Sequence, residues 1–136
     1  MKKTMTVLAK DNRLDDVKNF VTENLEAEGC SEKTLMQLEL AVEESFVNIA
    51  HYAYPPETGT VTVTKELTDD GLLIVVLSDS GTPYDPLKKP DPDLTLPLDK
   101  KPIGGLGIYM TKKSMDKVSY EYQGGKNILT LEKKLR

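Results

Sequence analysis

The sequence predicts an α+β two-layer sandwich, a mixed and mostly antiparallel sheet with helices on one face. Three observations carry that expectation. Residues 59–67 alternate with period two, the mark of a strand with one buried face, and Asp69-Asp70-Gly71 after them is hairpin turn chemistry. Leu72-Leu73-Ile74-Val75-Val76-Leu77 follows, unbroken and apolar and too short for a stable helix, which predicts a central strand covered on both faces. A second hairpin is expected at 117–133, turning at Gln123-Gly124-Gly125-Lys126. Helical stretches precede the first hairpin and separate it from the second, so helices are inserted between strand pairs rather than alternating with single strands.

In order, residues 5–9 predict a short first strand. Asp11 or Asn12 is expected to cap a helix whose first turn holds Asp15 and Asp16, where carboxylates suit the positive end of the dipole. Leu14, Val17, Val21 and Leu25 give it an apolar stripe, and Gly29 ends it. Ser31 caps a second helix that runs until Pro55-Pro56 forbids continuation. On it, Leu35, Leu38, Val42, Phe46, Ile49 and Ala53 share one side. Gln37, Ala41, Glu44, Asn48 and His51 share the other. No periodic pattern appears from 82 to 103, where six of the eight prolines lie, and so long a connection inside a compact domain suggests a lid or a disordered segment. Ile103-Gly104-Gly105-Leu106-Gly107-Ile108 then opens a third helix, expected to end near Met115.

The 136 residues predict one domain spanning 1–136, with a core of Leu, Val, Ile and Met because only 6% are aromatic and none is Trp. The net charge is −4 with acids and bases interspersed, which excludes the basic stripe of a nucleic-acid surface. The single Cys30 makes no internal disulfide and reads as an inert neighbour of a helix cap. No apolar run approaches the roughly 18 residues of a membrane span, and Met1-Lys2-Lys3 precedes no apolar signal core, so a cytoplasmic location is expected.

Several positions carry chemistry. Glu44 and Asn48, four apart on a helix, project together: a carboxylate can take a proton or orient a hydroxyl, and an amide oxygen is a hard ligand for Mg²⁺. Taken alone, such a pair is more often a surface Glu and an Asn near a helix end. Asp79, where the apolar strand gives way to loop, can accept a hydrogen bond from an amino group on a heterocycle, and Gly81 lets a flat ring approach backbone. A plain Asx turn would look the same. Gly104-Gly105-Leu106-Gly107 before a helix offers backbone N–H groups to an anion, although a hinge would serve as well, and the Walker pattern is absent. Lys88, Lys89, Lys100 and Lys101 could reach phosphate oxygens but are more often simply solvated, and His51 suits a structural role at a helix end.

In order and spacing these pieces resemble the GHKL ATPase superfamily, with Glu44 and Asn48 as its N box, Asp79-Ser80-Gly81 as its first glycine box and Gly104 to Gly107 as its second. Within it the chain is most similar to the compact anti-sigma factor serine kinases. The likeness is carried by Ala41-Val42-Glu43-Glu44-Ser45-Phe46-Val47-Asn48, by Asp79-Ser80-Gly81-Thr82-Pro83-Tyr84-Asp85-Pro86 and by Leu106-Gly107-Ile108-Tyr109-Met110-Thr111. The resemblance implies that Asn48 holds Mg²⁺ with the phosphates of ATP, that Glu44 orients or deprotonates a protein serine, and that Asp79 bonds the adenine amino group with Gly81 beside the ring. Gly104, Gly105, Leu106 and Gly107 would line the phosphates under a closing lid. Departures are Gly105, where many relatives carry Arg, a shorter spacing from Asn48 to His51, and Gly125-Lys126 in place of the usual Gly-Thr. The last leaves Thr130 or Asn127 to make the adenine-water contact.

The implied activity is ATP- and Mg²⁺-dependent phosphorylation of a small STAS-type antagonist protein, with sequestration of a sigma factor, often by a homodimer. A non-catalytic alternative is a nucleotide-sensing module that clamps a partner in an ATP- or ADP-dependent way; it would use Asp79 and the glycines equally well and leave Glu44 dispensable. The catalytic piece of a histidine kinase fits less well, because the one histidine, His51, lies inside the N-box helix.

Overall fold

The computed structural model describes residues 2–54, 58–88 and 106–135. The elements are β1 (Lys2–Leu8), α1 (Leu14–Thr22), α2 (Glu32–Asn48), a π-helical turn (Ile49–Ala53), β2 (Thr60–Leu67), β3 (Leu72–Asp79), α3 (Leu106–Ser114), β4 (Lys117–Gln123) and β5 (Lys126–Lys134). The five strands form one sheet in the order β1-β2-β3-β5-β4. Every pairing among the described residues is antiparallel, in keeping with the mostly antiparallel sheet expected from the sequence, and none of them is parallel.

Both hairpins turn where glycine permits it. Gly71 (φ 89°) closes β2–β3, and Gly124 (φ 62°) and Gly125 (φ 76°) supply the two left-handed positions of a tight β4–β5 turn. Ser31 caps α2 as expected, its side chain accepting from Thr34 N–H at 3.1 Å. The caps expected of Asp11 or Asn12 are not made: the chain enters α1 through a 3₁₀ turn, Asp11–Arg13, with no side-chain cap. Asp11 instead turns its carboxylate to His51, at 2.9 and 3.0 Å. The helix expected to reach Gly29 stops at Thr22, and Gly29, left-handed at φ 92°, closes a separate 3₁₀ turn, Glu26–Glu28. Cys30 is buried and donates to the Ser31 carbonyl; burial, and then the charge of Glu26, pushes its thiol pKa up.

The core lies between the helices and one face of the sheet. Val17 and Val21 of α1 and Leu38, Val42 and Phe46 of α2 meet Val61, Val63, Leu73, Val75, Leu77 and Leu131. On β3 only the Leu73, Val75 and Leu77 side is buried, while Leu72, Ile74 and Val76 are half-buried. The expectation of a strand covered on both faces is therefore corrected: with all the described helices on one side, the other face keeps partial contact with water. There Thr4 pairs with Thr64 and Thr6 with Thr62 through their hydroxyls.

One inward position on β2 is charged. Lys65 follows Val61 and Val63 into the interior, where its ammonium donates to the Phe20 carbonyl near the end of α1 and to the Glu23 carboxylate at 3.1 Å. It also stands 4.6 Å from the centre of the Phe20 ring, a cation–π contact. The hydrogen bond from Lys65 and its charge, with a smaller contribution from Lys3, hold the Glu23 pKa below the usual carboxylate range. Lys65→Met should strand a helix-end carbonyl and lower the thermal midpoint by about 3–6 °C. In the same variant an NMR titration should find the Glu23 carboxyl nearer its ordinary pKa.

Candidate functional site

Three buried rows end in polar residues at the same end of the core. On β3 the inward row Leu73, Val75, Leu77 continues to Asp79. On β5 the row Leu131, Leu129 reaches Asn127, and the ladder sets Asn127 directly across from Asp79. On α2 the side expected to carry Ala41 and Asn48 away from the apolar stripe is itself buried at those two residues, and Ala41 and Ser45 lead to Asn48. Strand alternation and helical period thus aim a carboxylate and two amides into one place. All three are nearly inaccessible, at 4% for Asp79, 5% for Asn127 and 6% for Asn48. They line a single cavity with Tyr84, Tyr120 and Leu77.

Asn127 is the hub of the cavity's hydrogen bonds. Its amide nitrogen donates to Asp79 Oδ1 at 2.9 Å and to the Thr82 carbonyl at 3.0 Å. Its oxygen accepts from Tyr84 N–H at 3.1 Å and from the Tyr120 hydroxyl. Asp79 Oδ1 also accepts from Gly81 N–H at 2.9 Å, forming the Asx turn. Burial pushes the Asp79 pKa up, opposed by the hydrogen bonds from Asn127 and Gly81. Gly81 has no room for a side chain, because a Cβ would lie 2.4 Å from the Ala53 carbonyl oxygen.

Thr130 does not belong to this constellation. It sits one residue out of phase with Leu129 and Leu131 and lies on the half-buried sheet face, opposite Val76 and Ser119. Of the two candidates for the adenine-water contact, Asn127 faces the cavity and Thr130 does not.

Glu44 stands beside the cavity rather than in it. It lines the adjoining groove between α2 and α3 with Leu40, Ala41, Gly107, Met110 and Thr111. Its Oε1 accepts from the Asn48 amide nitrogen at 3.3 Å, which ties cavity and groove together. Its Oε2 packs on Gly107, the second residue of α3, where a Cβ would lie only 2.1 Å away. The first turn of a helix carries the positive end of its dipole, a favourable place for a carboxylate. Of the expected second glycine box, Leu106 begins α3 and Gly107 follows it, while Gly104 and Gly105 lie outside the described residues. So does 89–103 of the expected lid. Of the four lysines proposed to reach phosphate, only Lys88 is described; it is exposed at the end of the 3₁₀ turn Pro86–Lys88.

The sheet order, the helical layer on one face and a polar pocket at the end of the core define a histidine kinase-like ATPase domain. The sequence profile of that description matches residues 7–133, and the chain belongs to this family. It is similar to the serine-protein kinase RsbW of Bacillus cereus (strain ATCC 10987 / NRS 248), 30% identical over 96 residues that make up 68% of this chain and 59% of the relative. It is likewise similar to the serine-protein kinase RsbW of Bacillus mycoides (strain KBAB4), 31% identical over 96 residues with the same coverage. The match thus spans less than two thirds of the length of these relatives. Among solved structures, the RsbU and RsbW domains of a Mycobacterium tuberculosis protein superpose with a TM-score of 0.70 at 18% identity, over 99% of this chain and 32% of that one. At that identity the likeness supports the fold alone. Among the described residues no helix is long and apolar enough to cross a membrane.

Proposed function

We propose that the chain is an ATP- and Mg²⁺-dependent protein-serine kinase of the anti-sigma type, phosphorylating a small STAS-type antagonist protein and sequestering a sigma factor. The observation that carries this reading is the convergence of Asp79, Asn127 and Asn48 on one cavity, with Glu44 hydrogen-bonded to Asn48 at its edge. Asp79 has Oδ1 occupied by Gly81 and Asn127, which leaves Oδ2 for the adenine amino group. Gly81 lies beside the ring, and Gly104, Gly105, Leu106 and Gly107 supply backbone to the phosphates.

The donor set fits Mg²⁺ only in company with phosphate. Among the described residues no cluster of three or more His, Cys, Asp or Glu could hold a metal. The Asn48 amide spends its nitrogen on Glu44 and keeps its oxygen for a cation. Mg²⁺ bound by one or two protein oxygens plus substrate phosphates is its ordinary mode, and when bound it neutralises phosphoryl oxygens. Glu44 orients the acceptor serine and takes its proton as Oγ bonds to the γ-phosphorus and the bond to the β–γ bridging oxygen breaks, releasing ADP.

A second reading has its own support. Both oxygens of Glu44 are engaged, one by Asn48 and one against Gly107, as in a carboxylate that merely ties α2 to α3. The chain would then be a nucleotide-sensing module that clamps a partner without phosphoryl transfer. Incubation with γ-labelled ATP and a panel of STAS-domain proteins separates the two, since the kinase alone labels a serine. Asn48→Ala should weaken ATP binding at least tenfold in the presence of Mg²⁺ and little in EDTA, measured by calorimetry. Equal affinity of the variant and the unaltered chain in Mg²⁺ would remove Asn48 from the cation's site.

A further inference from the structure

The π-helical turn and the residue after it grip the segment following Asp79 at three points. The Tyr54 phenol donates to the Thr60 carbonyl at 2.7 Å and accepts from Ser80 N–H at 2.8 Å. The Ala53 carbonyl accepts from Thr82 N–H at 2.7 Å. The Tyr52 ring stacks on Tyr84, with centroids 5.3 Å apart and planes 21° from parallel. Space is committed as tightly as the hydrogen bonds. A Cβ on Gly59 would lie 2.0 Å from a Tyr54 ring carbon, so the ring occupies the place of a side chain there. Tyr54 itself does not line the cavity.

A wide π turn directly after Asn48 therefore ends in a phenol that bridges the start of β2 to the residue beside Asp79. Gly81 N–H, one residue beyond that bridge, helps fix the plane of the Asp79 carboxylate. The direction of Asp79 Oδ2 thus depends on where Tyr54 holds the Asp79–Ser80 peptide, which in turn places the Gly81 N–H that Oδ1 accepts. We propose that Tyr54 is a positioning residue for base selection: through Ser80 it aims Asp79 so that a purine bearing an amino group is accepted and one bearing a carbonyl in its place is refused. This rests on the reading of Asp79 as the partner of the adenine amino group. A site built around a buried hydrogen-bonding group discriminates strongly only when that group is held still.

The test compares ATP with inosine triphosphate, which carries a carbonyl in place of the amino group, on the full chain with Mg²⁺ by calorimetry. The unaltered chain should prefer ATP. Tyr54→Phe keeps the ring and so the packing at Gly59, and should lower that preference at least tenfold by weakening ATP while leaving inosine triphosphate within about twofold. In an Asp79→Asn background, whose amide presents a donor to the base, the same substitution should no longer lower the preference for ATP. Equal weakening of both nucleotides, no change in either, or an undiminished effect in the Asp79→Asn background would overturn the proposal. If the unaltered chain binds both nucleotides alike, the role given to Asp79 fails first, and that of Tyr54 with it.

Discussion

Glu44→Ala should still bind ATP and transfer phosphate at least 10²-fold more slowly, the lower end of what a positioned general base contributes. The geometry separates the two properties. Glu44 lines the groove against α3 and has no place in the cavity that Asp79 and Asn127 build, so losing its carboxylate leaves the base site intact. A companion substitution reaches the same carboxylate from the other side. In Gly107→Ala the new methyl group would stand 2.1 Å from Glu44 Oε2, and either the side chain or the start of α3 must move. That variant should also lose transfer, with Glu44 still present. Single-turnover assays with labelled ATP, set beside calorimetric binding, read both effects. Transfer that survives Glu44→Ala would return Glu44 to a tie between helices and favour the clamping module.

Asp79→Asn should cost ATP binding about 10²-fold or more while making the fold more stable. Gly81 N–H and the Asn127 amide nitrogen both present donors to position Oδ1. An amide at residue 79 must turn its oxygen toward those donors, which turns its own NH₂ toward the base, where it meets the adenine amino group donor to donor. Stability moves the other way. Burial raises the folded-state pKa of Asp79 above the ordinary 3.8, so the stability this carboxyl contributes is full below that value and lost as the pH rises through the raised one. At neutral pH the buried charge is a liability that the amide does not carry. The variant should gain roughly 1 kcal/mol, or about 3–5 °C in thermal midpoint. Its stability should also lack the decline above pH 4 that the aspartate imposes. A midpoint that falls on substitution would show the carboxylate to be net stabilising.

Most of the architecture was legible because strand period and turn chemistry are local. The alternation of 59–67, the Asp69-Asp70-Gly71 turn and the Gly124-Gly125 pair locate four of the five strands without any tertiary information. What failed depended on distant partners. Asp11 reads as a cap until His51, 40 residues away, takes its carboxylate. Residues 72–77 read as covered on both faces because an apolar run does not reveal which side lacks helices. The pocket was half visible. Asn48 and Asp79 stood out by residue type and spacing, whereas choosing between Asn127 and Thr130 required parity: Leu129 and Leu131 share a face with Asn127, and Thr130 is out of step. Tyr54 and Tyr120 gave no signal at all, and Tyr84 entered only as part of a stretch that carries the resemblance, since their hydrogen bonds and ring contacts join segments that only folding brings together.

That shared parity limits how such a gene can change length. Deleting or duplicating one codon within β3 or β5 rotates everything beyond it by half a turn, carrying the acid or the amide from the interior to the wet side of the sheet. Two codons restore the alternation yet shift the pair out of step with each other. Length variation compatible with nucleotide recognition should therefore collect in the connections, leaving these two strands fixed in residue count from the end of the hydrocarbon row to the pocket.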